Sequence, residues 1–172
     1  MEKKKEQLVT ERLVLKAFRE CDRPAMIDMF CNEAIKRTYM LPDFENKEQA
    51  GALFDKFIIL SRADDRFLYG VFLDDTPIGF INDCEKNDFM MELGYVITPE
   101  HQGKGFATEA VQACIYELFR MGYEHVRAGY FEGNTASRRV MEKCGMHKLP
   151  LEEDIEYKGV LRHCLYFGID KC

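Results

Sequence analysis

The chain has no apolar run approaching a membrane span, no C-x-x-C pair and no basic excess. Each absence removes a class of function. A membrane helix needs roughly 18 or more consecutive apolar residues, so no membrane partner is expected. The cysteines at 21, 31, 84, 114, 144, 164 and 172 are odd in number. Several sit among apolar neighbours, where a free thiol packs as a small hydrophobe, so they read as reduced thiols rather than a disulfide framework. The histidines at 101, 125, 147 and 163 show no paired ligand spacing, and no metal site is expected. A net charge of −6 argues against a nucleic-acid partner, which calls for a concentrated basic face. No repeat, low-complexity tract or Gly/Ser linker divides the 172 residues. One domain over 1–172 is expected, with the charged residues 1–9 as a frayed end. That end lacks the apolar segment of a secretory signal, which makes the cytoplasm the expected location.

What is present is alternation of strand and helix signals. Arg12 to Phe18 alternates as a first strand. Asp22 offers an N-cap to a helix with Pro24 in its first turn, and Asn46 and Gln49 form a capping-box pattern before Ala50, Leu53, Phe54, Phe57 and Ile58. Three strands joined by short turns follow: Phe67 to Leu73, Ile78 to Cys84 and Phe89 to Ile97. On the third, Phe89, Met91, Leu93, Tyr95 and Ile97 share one face, and Glu92, Gly94 and Val96 the other. A helix from Gly105 to Met121 carries apolar pairs at 110/111, 114/115 and 118/119 and stops at Gly122. A strand from His125 to Tyr130, a helix capped by Asn134 and strands near 146–149 and 160–167 complete the chain. Helices that follow strands imply parallel neighbours, hence a mixed sheet with helices on both faces.

The stretch from Glu92 to Ala110 carries the chemistry. It runs from a strand through Pro99 into a loop with Gly103 and Gly105, then into the first turn of a helix. Glycines accept backbone angles that let several N–H groups converge on one ligand. The helix adds orphan donors and the positive end of its dipole, an arrangement suited to a pyrophosphate. Lys104 adds a full positive charge. An ordinary tight connection is the bland alternative. The P-loop pattern fails because Gly105 and Phe106, not Ser or Thr, follow Gly103-Lys104, and the dinucleotide fingerprint fails at Thr108 and at the intervening residues 98–101.

Four local patterns in the same order resemble the GCN5-related N-acetyltransferases (GNAT), in particular the Rim-type enzymes that modify ribosomal-protein N-termini. They are Thr10 to Leu15, Glu92-Leu-Gly-Tyr95 with Pro99, Gln102 to Ala110, and Asn134-Thr-Ala-Ser137 through Gly145. The resemblance implies an α/β GNAT fold: a mixed, mostly antiparallel sheet of about seven strands with a splayed central strand. It implies that backbone at Tyr95, Val96 and Ile97 pairs with the pantetheine arm of acetyl-CoA. It also implies that Gln102, Gly103, Lys104, Gly105, Phe106, Ala107 and Thr108 bind the pyrophosphate, with Asn134 and Ser137 near the thiol. By the same resemblance Ser137 is the general acid and Glu156 the base, with Glu92 the other base candidate. The tyrosine acid of some relatives is replaced here by Met141. Without the family, Asn134 is a helix cap, Ser137 a first-turn hydroxyl and the two glutamates solvated carboxylates.

The expected reaction is direct acetyl transfer to a primary amine. An α-amine, with a pKa of roughly 7.7–8.0, needs less help from a base than a lysine. The acceptor is left open between a protein N-terminus and a small amine such as a polyamine, amino acid or aminoglycoside. A non-catalytic acyl-CoA-binding module and a nucleotide-binding protein are the other classes, and monomer and homodimer are both compatible with the sequence.

Overall fold

A computed structural model describes residues 2–172. Its strands are β1 (Gln7–Val9), β2 (Val14–Lys16), β3 (Leu68–Leu73), β4 (Thr76–Lys86), β5 (Met90–Ile97), β6 (His125–Phe131), β7 (His147–Tyr157) and β8 (Val160–Asp170). Its helices are α1 (Arg23–Phe30), α2 (Glu33–Lys36), α3 (Lys47–Arg62), α4 (Phe106–Met121) and α5 (Thr135–Lys143). The strands form one sheet in the order β1-β2-β3-β4-β5-β6-β8-β7, eight strands where about seven were expected. Every pairing is antiparallel except β5 with β6.

The extra strand corrects the expectation of a frayed N-terminus. β1 pairs with β2, and Leu8 is buried. The Lys5 N–H donates to the buried Glu117 carboxylate at 2.7 Å, and the Glu2 N–H donates to the Met121 carbonyl at 3.0 Å. A three-residue strand has too little alternation to be read from sequence. Asp22 likewise does not cap α1; its carboxylate accepts from the Arg19 N–H one turn earlier. Asn46 does cap α3, accepting from the Gln49 N–H at 3.0 Å.

The decisive feature of the sheet is a parting at its centre. β5 and β6 pair only from Met90–Glu92 against His125–Arg127. Beyond that point β5 stays on β4 as far as Ile97, and β6 stays on β8 as far as Phe131. One backbone edge of each strand therefore faces an open V.

Helices cover both faces. α4 and α5 lie over Met91, Leu93 and Ile97 of β5 and Val126, Ala128 and Tyr130 of β6. On the other face, α1 and α3 bury Met26, Phe30 and Phe54 against Phe18, Phe80 and Val96. Phe131, Cys164 and Tyr166 continue that second face toward the β7–β8 hairpin, packed by Ile155 and Tyr157. Period-2 alternation thus sends odd residues of β5 toward α4 and even ones, Glu92, Gly94 and Val96, toward α1–α3, as the sequence pattern predicted.

Candidate active site

A cavity of about 620 Å³ runs through the V and joins the two faces. Its α4-side wall is the loop before that helix. Gly103 and Gly105 take φ of 73° and 84°, the left-handed region that a side chain disfavours. Among the described residues the N–H groups of Gly103, Lys104 and Gly105 donate to no protein acceptor. Those of Phe106, Ala107 and Thr108 are the orphan donors of the first turn of α4. Gly103, Gly105, Phe106, Ala107 and Thr108 all line the cavity. This cluster fits an anion with several oxygens.

Two expected loop side chains do something else. Gln102 Nε2 donates to the Ile97 carbonyl at 2.8 Å, so the side chain ties the loop to the end of β5. Lys104 Nζ donates to the Glu100 carbonyl at 2.9 Å and stays outside the cavity lining. The cation bracing the loop is Arg12. Its Nη1 donates to the Lys104 carbonyl at 2.9 Å, its Nε to Glu109 at 2.7 Å, and its guanidinium lies 4.5 Å from the Phe106 ring centroid. Glu109 is the central acceptor of that brace. Desolvation pushes its pKa up, but bonds from Thr10 and Arg12 outweigh it and hold the carboxyl below its ordinary range. Nothing in the local sequence around Arg12 signals this role, because its partners lie 92 and 97 positions away.

At the centre of the V, Asn134 caps α5, its Oδ1 accepting the Ser137 N–H at 3.2 Å. Ser137 Oγ lies 2.7 Å from the Tyr95 hydroxyl, which is also 3.0 Å from the Ser137 carbonyl. Burial raises the Tyr95 pKa, so the phenol stays protonated and donates to the Ser137 carbonyl, while in the contact with Ser137 Oγ either hydroxyl can be the donor. When the phenol turns its proton to Oγ instead of the carbonyl, the serine proton is free to point elsewhere. Sequence had assigned Tyr95 through its backbone; the hydroxyl contact was missed because residues 42 positions apart meet across the V.

The two base candidates separate. Glu92 lines the cavity on the face away from α4, with Arg127 Nε donating to it at 2.7 Å. Burial raises its pKa and Arg127 opposes that, leaving it above the ordinary carboxylate range. Glu156 is exposed and is not brought to the cavity. On β7 it alternates with Ile155 and Tyr157, which face the cleft, so the strand register turns Glu156 to the opposite face. Cys114 and Cys144 are buried outside the cavity lining, and burial pushes the Cys144 thiol up to about 12, which argues against either as a nucleophile. Among the described residues no cluster of His, Cys, Asp or Glu has metal-site geometry, and no helix is long and apolar enough to cross a membrane.

Residues 12–147 match the model of the acetyltransferase (GNAT) domain family. The chain belongs to the GNAT acetyltransferases. Among relatives of this GNAT chain, one from Bacillus subtilis (strain 168), described as the uncharacterized N-acetyltransferase YoaA, is 32% identical over 165 residues, covering 92% of this chain and 88% of the relative. YkkB from the same organism is 30% identical over 83% of this chain and 86% of its own. Solved structures share the fold at lower identity. A GNAT-family acetyltransferase from Bacillus anthracis superposes with a TM-score of 0.80 at 23% identity, covering 95% of this chain and 98% of its own. RimL, the ribosomal L7/L12 alpha-N-protein acetyltransferase, solved with coenzyme A, gives 0.81 at 18% identity over 95% of this chain and 96% of its own. The microcin C7 self-immunity acetyltransferase MccE, solved with acetyl-CoA and AMP, gives 0.80 at 16% identity over 94% of each chain.

Proposed function

We propose that this GNAT enzyme transfers an acetyl group from acetyl-CoA directly to a primary amine, with an α-amine as the acceptor that its weak acid–base pair suits. The observation that carries this reading is the continuity of unpaired backbone: the open edge of β5 in the V leads into the free N–H groups of Gly103 to Thr108. A long ligand with amides in its middle and a pyrophosphate at its end matches that sequence of donors and acceptors. The solved relatives that bind coenzyme A and acetyl-CoA support it.

Acetyl-CoA supplies an activated acyl carbon, and the protein's residues manage two protons. The acceptor enters from the α1–α3 face, where Glu92 stands. As the amine nitrogen bonds to the acyl carbon, its surplus proton passes to the Glu92 carboxylate, directly or through one water. Arg127 orients that carboxylate, while burial keeps it more basic than a solvated one. When the carbon–sulfur bond breaks, the thiolate takes the proton of Ser137 Oγ, held 2.7 Å from the Tyr95 hydroxyl; solvent then returns a proton to the serine and takes the one held by Glu92. Glu156 takes no part in this scheme.

An acetyl-transfer screen against N-terminal peptides and small amines, read by mass spectrometry, tests the reading. The expected result is a mass gain of one acetyl group on an α-amine and release of stoichiometric free coenzyme A. Binding of acetyl-CoA without transfer to any amine would leave a binding module instead.

A further inference from the structure

One charge on the acceptor face has no partner. Arg162 lies on β8 directly opposite Ile155 of β7 and shares its face with Cys164 and Tyr166. Ile155, Cys164 and Tyr166 line the cavity, and Arg162 stands just beyond that lining, beside Ile155. The guanidinium sits 5.4 Å from the Phe131 ring centroid and 6.0 Å from that of Tyr157, two rings that stack on each other. Its Nε is buried without an acceptor.

The other half-buried arginines differ. Arg23 pairs with Glu20 and Asp55, Arg66 with Asp83, Arg120 with Glu117, and Arg127 with Glu85 and Glu92. Among the described residues Arg162 has no such ion pair. Nearby acids are committed or turned away. Glu153 accepts from the Tyr166 hydroxyl, Asp43 pairs with Lys158, and Glu156 faces the other side of the sheet. Aromatic rings satisfy the faces of a guanidinium but leave its in-plane donors for an oxyanion.

The groove leading to Arg162 is bipolar. At one end Glu92 and Arg127 stand beside Tyr166, with the Arg127 guanidinium 5.4 Å from that ring. At the other is Arg162, four residues along the same face of β8, or about 13 Å at the rise of a strand. Between them lie the uncharged Phe131, Ile155 and Cys164, with Glu153 opposite Cys164 bonded to the Tyr166 hydroxyl. Resting on the acceptor face assigned above, we propose that Arg162 reads a carboxylate at the far end of an extended acceptor. The acceptor class is then a peptide N-terminus with Asp or Glu near its fourth residue, since an extended peptide covers the same span in about four residues.

The test uses C-terminally amidated pentapeptides that differ only in Asp, Asn or Lys at position 4, beside 8-aminooctanoate and octylamine. The wild-type enzyme should favour the Asp peptide over the Asn peptide by about tenfold in kcat/KM, mostly through KM, with the Lys peptide worst. Arg162→Gln should bring the Asp/Asn ratio to within about twofold, and Arg162→Lys should restore part of it. Acetyl-CoA affinity and melting temperature of each variant separate a folding defect from a specificity change. No Asp preference in the wild type, or one that survives Arg162→Gln, overturns the assignment while leaving the transferase intact. A carboxylate preference confined to 8-aminooctanoate overturns the peptide class. If no amine is acetylated at all, the transferase reading fails and this one falls with it.

Discussion

The two halves of the cleft are built on different principles. The α4 half is made of backbone: glycines with positive φ, a helix N-terminus and an unpaired strand edge, all within residues 93–108. The α1–α3 half is made of side chains from segments far apart in the chain. Tyr157 illustrates it: its hydroxyl lies 3.2 Å from the Leu41 N–H and 3.0 Å from the Leu41 carbonyl, across 116 positions. Beside it Lys158 pairs with Asp43, which also pairs with Lys36. A backbone-built site keeps its ligand through many side-chain changes, whereas a side-chain-built site changes its ligand with each one.

Breaking the backbone half should have the largest effect. Gly105→Asp places a carboxylate among the free N–H groups and forces a side chain into φ of 84°. Acetyl-CoA affinity should fall by roughly a hundredfold or more, about 2.7 kcal/mol, in a calorimetric titration. Lys104→Ala should cost under about threefold, because its ammonium is bonded to the Glu100 carbonyl. Equal losses in the two variants would return the anion site to the lysine.

The seam between the halves comes next. Ser137→Ala should lower kcat by about ten- to a hundredfold while leaving the acetyl-CoA Kd within about twofold, because the lost proton matters only as the thiolate departs. Tyr95→Phe should produce a smaller fall in the same parameter. Unchanged kcat in both would make the pair structural.

Glu92→Gln probes the acceptor half by pH. The variant should be about tenfold slow near pH 6.5, and the gap should narrow by pH 9 as the acceptor amine deprotonates unaided. Stability gives an independent sign. A carboxyl whose pKa is raised by folding favours the native state below its unfolded pKa, and loses that contribution as pH rises through the folded value. The melting temperature of wild type minus Glu92→Gln should therefore decline from pH 4 upward through the raised pKa. A rate gap independent of pH would remove Glu92 from proton transfer.

Tyr157→Phe should have the smallest effect. It removes the hydroxyl that ties the hairpin to the Tyr39–Leu41 backbone. A loss of about 1 kcal/mol of stability and a severalfold rise in acceptor KM are expected, with acetyl-CoA affinity unaltered.

The same division governs what the sequence could reveal. The loop from Gln102 to Thr108 and the caps at Asn46 and Asn134 were legible because glycine, capping and helix periodicity act between residues a few positions apart. Partners that meet only through the sheet were not: Tyr95 with Ser137, Glu92 with Arg127, and Arg12 beneath the loop. Glu156 was placed in the site by resemblance, but the register of β7 against β8 decides its face. That register was hidden because Glu152, Glu153 and Asp154 interrupt the apolar alternation on which a strand reading depends. The ordered N-terminus was hidden for a related reason, since its anchor is the buried Glu117, more than a hundred positions away.

Amide hydrogen exchange with and without acetyl-CoA tests the central claim most directly, because it reads the backbone groups proposed to be unpaired. The account predicts new protection at Gly103 to Thr108 and along the β5 edge at Tyr95 to Ile97, with little change at Tyr39 to Phe44 or in the β7–β8 hairpin until an acceptor is added. Protection confined to the acceptor half, or none at Gly103 to Thr108 under saturating acetyl-CoA, would contradict it.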